Sequence, residues 1–532
     1  MKKLYLLALL FVFVGQSAIA QRFLEPTFDE VDITTNVPYG RNFTVESIPV
    51  TGHSSSQTLL MDVYQPANDD ADLRPLVIYL HTGNFLPPII NGGVNGSKAD
   101  SSNVEICIRL AKLGYVVASA EYRVGWNPFA PTQPERAFSL INAAYRGMQD
   151  ARTAVRFFRK DIAENGNQYR IDDSRVTMFG QGSGSYLSFV GATLDDYNEI
   201  IFTSSPQGKF LTDLDGDTTT LEPMVIEAWN GDIYGTSVGI FPVNGDTFCI
   251  PNHVGYSSDI DLAINLGGAL GDIAWLEEGD VPMISFHAPG DEFAPYDDDI
   301  LKVGTTQDAI VQVQGSFRTT VVANDFGNND IFLGMDIDPY TQGAIDASAA
   351  VGHDYMEALY PINRPINGFG RVESAPWEWW NPSPFDTIPH PFVAGFTINQ
   401  VAVTGNVAMA DPVTGKAQAM MYIDTIMGYI APRAYKALDL ENWSGTFDLL
   451  QGEEVGLELA PNPVVDFLNI ETSVDNPMRM VEVFDVQGKL VDRITDIDAS
   501  QYSYRINHTT AGLHLIYIHF DDGVVSEKVV IQ

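Results

Sequence analysis

Cysteine is nearly absent from this sequence: 532 residues carry two, Cys107 and Cys249. At most one bridge can form, and two buried free thiols remain the alternative, because pairing needs Cα atoms within about 7 Å. Basic residues are also scarce. Lys+Arg number 30 against 69 Asp+Glu, a formal net charge of −39. A phosphate backbone is repelled everywhere except at a local basic patch, and no such cluster occurs, so no nucleic-acid partner is expected. The acidity fits a soluble extracellular protein, and simple solubility accounts for it. No stretch beyond the first twenty residues is long and apolar enough to span a bilayer, so no transmembrane segment is expected.

The one early apolar run, Leu4 to Val14, follows Lys2 and Lys3 and precedes Ala18-Ile19-Ala20. This pattern predicts a secretory signal peptide over 1–20, cleaved after Ala20. No cysteine follows it, which argues against a lipid anchor. A hydrophobic content of 45% with 11% aromatics is that of a globular protein with a large core, and the length allows two or three domains.

The stretch that organises the chain is Arg175-Val-Thr-Met-Phe-Gly-Gln-Gly-Ser-Gly-Ser-Tyr-Leu-Ser188. It reads as an apolar strand running into a Gly-rich corner and then a helix. Upstream, residues 22–60 alternate like antiparallel edge strands, with Leu59–Tyr64 following. Pro75–Leu80 is a continuous apolar run of the kind a buried parallel strand needs, and it ends in His81-Thr82-Gly83-Asn84. A helix over Val104–Leu113 stopped by Gly114, a strand over Tyr115–Ala120 and a helix over Ala144–Phe158 come next. This alternation of strands and helices predicts a parallel α/β sheet.

The same residues resemble carboxylesterase-like α/β-hydrolases. The family's nucleophile elbow is Gly-x-Ser-x-Gly, and the frame here is Gly180-Gln181-Gly182-Ser183-Gly184. Both outer glycines are in place, but the nucleophile slot holds Gly182, with Ser183 one position late. His81 and Gly83, with Asn84 beside them, match the His-Gly-Gly loop that supplies oxyanion donors, except that Thr82 stands at its second position. The segments GYVVASAEYRVG, QDARTAVRF and YRIDDSR each resemble family sequence, so the match from about 75 to 190 follows the family's order. The resemblance implies an α/β-hydrolase fold, a mostly parallel sheet flanked by helices.

Further along, Val281–Phe286 reads as the next buried strand, and the following His287-Ala-Pro-Gly-Asp-Glu-Phe-Ala-Pro-Tyr296 resembles the loop that carries the triad acid, at Asp291. The last strand is expected at Ile310–Ser316, and no histidine directly follows it. A long insertion over about 317–415 then precedes a closing helix near Ala417–Leu440. Inside it Gly352-His353-Asp354 resembles the family's base motif, with His390 the other candidate. Glu373 to Trp380 is a dense aromatic block, read as packed core or lid or as a stacking surface. Asp213, Asp215 and Asp217 alternate around Gly216, a spacing that can wrap Ca²⁺ but lacks the other EF-hand positions, so an acidic turn with no cofactor is the better reading.

A polar, acidic stretch at 442–456 reads as a linker. After it, PNPVVDFLNI, VFDVQGKLV and AGLHLIYIHFDDGVVSEKVVIQ alternate like paired short strands. Residues 457–532 predict a small Ig-like β-sandwich and resemble the type A C-terminal sorting domain of the type IX secretion system. That resemblance implies the secretion machinery as a partner and a secreted or outer-surface location. The hydrolase-like domain is then 21–441. Three functions stay open: an ester hydrolase using Ser183, His353 and Asp291; a degenerate or weakly active hydrolase scaffold that binds a small-molecule ester or a cell-surface ligand; and metal-assisted chemistry at the three aspartates.

Overall fold

The apolar runs Pro75–Leu80, Tyr115–Ala120 and Val281–Phe286 each become a strand of one sheet. The computed structural model describes residues 22–213, 220–303, 306–362, 372–443, 450–485, 490–495, 497–506, 511–520 and 523–532. The expected signal peptide and two of the three clustered aspartates, Asp215 and Asp217, lie outside the described residues.

The main sheet has eight strands: β1 (Val31–Thr44), β2 (Ser55–Pro66), β3 (Arg74–Leu80), β4 (Val116–Ala120), β5 (Ile171–Gln181), β6 (Leu262–Leu266), β7 (Met283–His287) and β8 (Leu359–Pro361). Their order across the sheet is β1-β2-β4-β3-β5-β6-β7-β8. β1–β2 and β2–β4 pair antiparallel, while β3–β4, β5–β6, β6–β7 and β7–β8 pair parallel. Every residue of β3, β4, β6 and β7 is buried, as expected for strands covered on both faces. This is the α/β-hydrolase layout that the sequence implies.

Helices α1 (Ser101–Leu113), α2 (Gln133–Asn165), α3 (Ser183–Thr193) and α4 (Pro412–Ala437) accompany the sheet. Gly114 ends α1 in the left-handed region, φ 117°, and its N–H bonds back to Ala111 O and Leu110 O. α2 is far longer than its apolar core suggests, because polar residues extend it at both ends.

Four expectations need correction. β1 ends at Thr44, and Ile48–Thr51 is a helical turn rather than strand. β6 escaped the sequence reading. Its run Leu262–Leu266 is short and follows an acidic segment. The expected last strand, Ala309–Gly315 in the structure, belongs to a separate three-stranded antiparallel sheet with Ala269–Leu270 and Asp298–Lys302. The true last strand is β8, only three residues long and therefore silent in a periodicity search. Part of the presumed insertion at 317–415 is thus core sheet.

By internal contacts the chain divides into two compact units. One comprises residues up to Asp69, Pro75–Arg159 and Ile171–Glu441; the other comprises Asp70–Arg74, Lys160–Arg170 and Asn442–Gln532. In the second unit a three-stranded sheet (Glu458–Ala460, Phe467–Glu471, Gln501–Arg505) and a four-stranded sheet (Met480–Asp485, Leu490–Ile494, Gly512–Phe520, Gly523–Ile531) are both antiparallel. They share one apolar core that includes Leu468, Ile470, Val481, Ile516, Ile518 and Val529, a β-sandwich. Val455 is buried in that core and Leu450 N–H donates to Val524 O, so 450–456 packs with the sandwich instead of standing free as a linker. Both cysteines are free and buried.

One buried ion pair fixes the loop after β4 to α2. Arg123 and Asp150 are fully buried, with guanidinium to carboxylate contacts of 2.8 Å and 2.9 Å and the Arg123 N–H on the same carboxylate at 2.8 Å. Removing one partner strands the other charge, a loss of about 3–5 kcal/mol. Asp150→Ala is accordingly expected to shift the urea unfolding transition of the first unit strongly downward, and an unchanged midpoint would contradict this role.

Candidate functional site

β5 carries the chain to the elbow and α3 leads it away. Gly182 sits between them as the N-cap of α3, at φ 54° and ψ −115°, and its N–H donates to Leu266 O on β6. A non-glycine residue in this region bears strain of about 1–3 kcal/mol. The following turn is tight against β3: a Cβ on Gly184 would lie 2.1 Å from Leu80 O.

The space above Gly182 is filled by another residue. A Cβ on Gly182 would stand 2.1 Å from Thr82 Oγ1 and 2.9 Å from Thr82 Cβ. Both departures from the family pattern, threonine at 82 and glycine at 182, therefore meet at one point. The Thr82 side chain takes the place in which a nucleophile's side chain would begin. Thr82 is 8% exposed and lines the cavity beside the elbow.

Ser183, the first residue of α3, is buried and lines the same cavity, but its hydroxyl is engaged by Tyr122. The Tyr122 hydroxyl donates to His81 O at 2.7 Å, and the Ser183 hydroxyl donates to Tyr122 at 2.9 Å. Its partner is a phenol that burial holds protonated, not an imidazole. His81 stacks on Tyr122, with ring centroids 4.5 Å apart, and its Nε2 lies 3.1 Å from the Glu121 carboxylate. Burial disfavours the His81 cation, but Glu121 outweighs burial and raises its pKa. Gly83 and Asn84 continue the loop at positive φ, and Phe85 O accepts from Gly125 N and Trp126 N at 3.0 Å each, which ties this loop to the one after β4.

Asp291 follows β7, as expected, and is enclosed. It accepts from Phe293 N–H at 2.7 Å and Ala294 N–H at 3.3 Å, and burial raises its pKa. The nearest imidazole is His287, 3.6 Å away, whose nitrogens are engaged by Ser316 Oγ and Ala294 O. Burial lowers the His287 pKa and keeps that ring neutral. The expected pairing of Asp291 with His353 is not formed. His353 precedes β8 instead of following it, accepts from the Tyr296 hydroxyl at 2.9 Å and donates to Asp354 O at 2.8 Å. It has no place in the cavity wall. His390 does line the cavity, with Nδ1 accepting from Phe392 and Val393 N–H and its pKa lowered by burial. Ser183, Asp291 and His353 are thus not brought together. Of the clustered aspartates only Asp213 is described, and among the described residues no group of three His, Cys, Asp or Glu is placed to hold a metal.

The residue that sequence reasoning missed is Glu378. It comes from the segment after β8, the connection from which the family's histidine would arise. Its carboxylate accepts from Gln181 Nε2 at 2.8 Å and Asn95 Nδ2 at 2.9 Å, and Gln181 in turn accepts from the Tyr79 hydroxyl at 3.0 Å. Burial, reinforced by the charge of Asp100, raises its pKa to about 7 against the two amide donors that oppose the shift. A glutamate between three tryptophans was the available signal, in the block already marked as a lid or core.

These residues surround a cavity of about 920 Å³. Its walls are mainly apolar, with Trp126, Tyr186, Trp377 and Trp380 among the aromatic side chains, and Phe129 and Phe392 stand at its rim with ring centroids 4.8 Å apart. Such a volume suits a small organic ligand.

A carboxyl with a pKa raised on folding stabilises the protein fully below its unfolded value, here near 4.5, and loses that contribution as pH rises through about 7. Glu378→Gln removes the titration. Its melting temperature is expected to exceed that of the wild type at pH 8 and to approach it at pH 5; a difference independent of pH would refute the assignment.

Residues 61–220 match the BD-FAE family model, and residues 458–532 match the model described as a secretion system C-terminal sorting domain. No curated protein matches. Among solved structures, Thermogutta terrifontis esterase 2 phosphorylated by paraoxon aligns at 17% identity over 51% of this chain and 75% of that one, TM-score 0.28. The propionate-bound thermophilic esterase of the same species aligns at 16% identity over 65% and 87%, TM-score 0.30. A truncated carbohydrate esterase from gut microbiota aligns at 17% identity over 57% and 86%, TM-score 0.29. The sorting domain marks the chain for export to the cell surface or the medium. Among the described residues no helix is long and apolar enough to cross a membrane.

Proposed function

We propose, on the premise that residues 61–220 belong to an esterase-like α/β-hydrolase domain and 458–532 form a type IX sorting domain, that this chain is an exported hydrolase homologue that binds a small molecule without a working serine triad. The observation that carries this reading is the Thr82 side chain over Gly182, which leaves neither a nucleophile nor room for one. The hydrogen bond of Ser183 to Tyr122 and that of His353 to Tyr296 support it, since each candidate triad member is engaged elsewhere. Residues 1–20 serve as the signal peptide in this reading, so export runs in two steps, with the secretion machinery as the partner of the C-terminal domain.

The cavity itself remains large and walled with aromatic side chains, so it binds and orients a ligand even though the covalent step is lost. Backbone donors at an elbow can leave residual ester turnover over water, so weak hydrolysis is compatible with a pseudoenzyme. Metal-assisted chemistry receives no support from Asp213, the one described member of its cluster. The reading in which Ser183 acts as a displaced nucleophile requires its hydroxyl to leave Tyr122 and meet an imidazole.

The test is direct. A serine-directed phosphonate should leave the intact mass of the full chain unchanged, and p-nitrophenyl ester turnover should stay near background. Ser183→Ala should not lower it further. Robust turnover that Ser183→Ala abolishes would reinstate the serine esterase.

A further inference from the structure

The cavity is apolar, yet its charged groups are almost all of one sign. Among the described residues Asp291, Glu292, Glu373 and Glu378 line it, against one ammonium, the exposed Lys302, and the His390 ring, whose pKa burial lowers. Glu378 is held by two neutral amides and meets no cation among the described residues. The other ionisable groups acting on it, Asp100 and Asp291, are themselves carboxyls. A second and independent feature is the Tyr186 hydroxyl, which lines the same space, is cut off from solvent and has no hydrogen-bond partner among the described residues. A buried carboxyl without a cation is costly, and so is a buried hydroxyl without a hydrogen bond. Both costs fall on one cavity, and a ligand of the right chemistry relieves both.

We infer that the cavity binds a hydrophobic cation, an amine or quaternary ammonium carrying an aryl or alkyl group, with the positive centre towards Glu378 and the apolar part against the tryptophan-lined wall. Trp377 is 1% exposed and Trp380 6%, so the indole faces are desolvated where cation–π attraction is strongest. The Tyr186 hydroxyl would serve as acceptor for an N–H or as donor to a polar group beside the ammonium. This inference rests on the ligand-binding reading above and adds the ligand's charge class to it.

The linkage has a definite sign. A cation favours ionised carboxylates, so binding tightens as Glu378 and its raised neighbours Asp291 and Asp100 lose their protons, with Glu378 doing so around pH 7. The experiment titrates the full chain, by calorimetry or tryptophan fluorescence, with three probes of similar size: benzyltrimethylammonium, its neutral isostere neopentylbenzene, and 3-phenylpropanoate. None of them titrates between pH 5.5 and 8. At pH 8 the cation should bind about tenfold or more tighter than the neutral isostere, and the anion weakest. That preference should shrink at pH 5.5 in the wild type and at pH 8 in Glu378→Gln. The wild-type pH series needs no variant, so a Glu378→Gln protein that fails to fold leaves the test intact. A neutral isostere that binds as well as the cation, or an anion that binds better, overturns the cationic inference while the ligand-binding reading stands. Failure of all three probes to bind removes both.

Discussion

The contact between Thr82 and Gly182 decides what this fold can do. In a strand–elbow–helix turn the apex side chain projects into the cleft, and the loop after β3 must leave it room. Here the loop residue carries the side chain and the apex carries none, with only 2.1 Å between the Thr82 hydroxyl and the position of a Gly182 Cβ. In this Thr82 conformer a side chain at 182 has no room unless Thr82 moves. Around this point the rest of the scaffold is kept. The buried sheet, the elbow turn and the buried Arg123–Asp150 pair frame the cavity without any contact among Ser183, Asp291 and His353.

With the nucleophile's place closed, the cavity's character passes to its carboxyls. Glu378 reaches the elbow through Gln181, the residue next to Gly182, and so reports on the same apex. Its high pKa has a plain cause: burial among indoles and other carboxyls, with only neutral amides to stabilise its charge. A group in that position changes charge near neutral pH, and in the proposed reading this makes ligand binding pH-dependent. The C-terminal β-sandwich carries none of this chemistry and answers to the export route instead.

How much of this is written in the sequence differs from element to element. The strands β3, β4 and β7 and the elbow could be read because each is a largely apolar run, with His81 after β3, His287 at the end of β7 and Gly180 at the elbow as further markers. Gly182 in the nucleophile slot and Asp291 after β7 were equally plain. β8 could not be read, since three residues leave no periodicity, and misplacing it made His353 look like a residue downstream of the sheet. The departure at Thr82 was visible, but its meaning was not: only the three-dimensional approach of two loops shows that 82 and 182 compete for one space. Glu378 was hidden for a similar reason. Its partners Asn95 and Gln181 lie far away in sequence, so nothing local distinguishes it from a surface acid.

The central claim, that Thr82 and Gly182 share one side-chain volume, is tested most directly by a double-mutant cycle on stability with Thr82→Gly, Gly182→Ser and both together. Gly182→Ser alone should destabilise by overpacking, of order 1–3 kcal/mol, added to backbone strain. In the Thr82→Gly background the overpacking disappears, so the two changes should couple by about 1 kcal/mol or more. Strict additivity would mean that Thr82 does not stand over the elbow, and the account would fall with it.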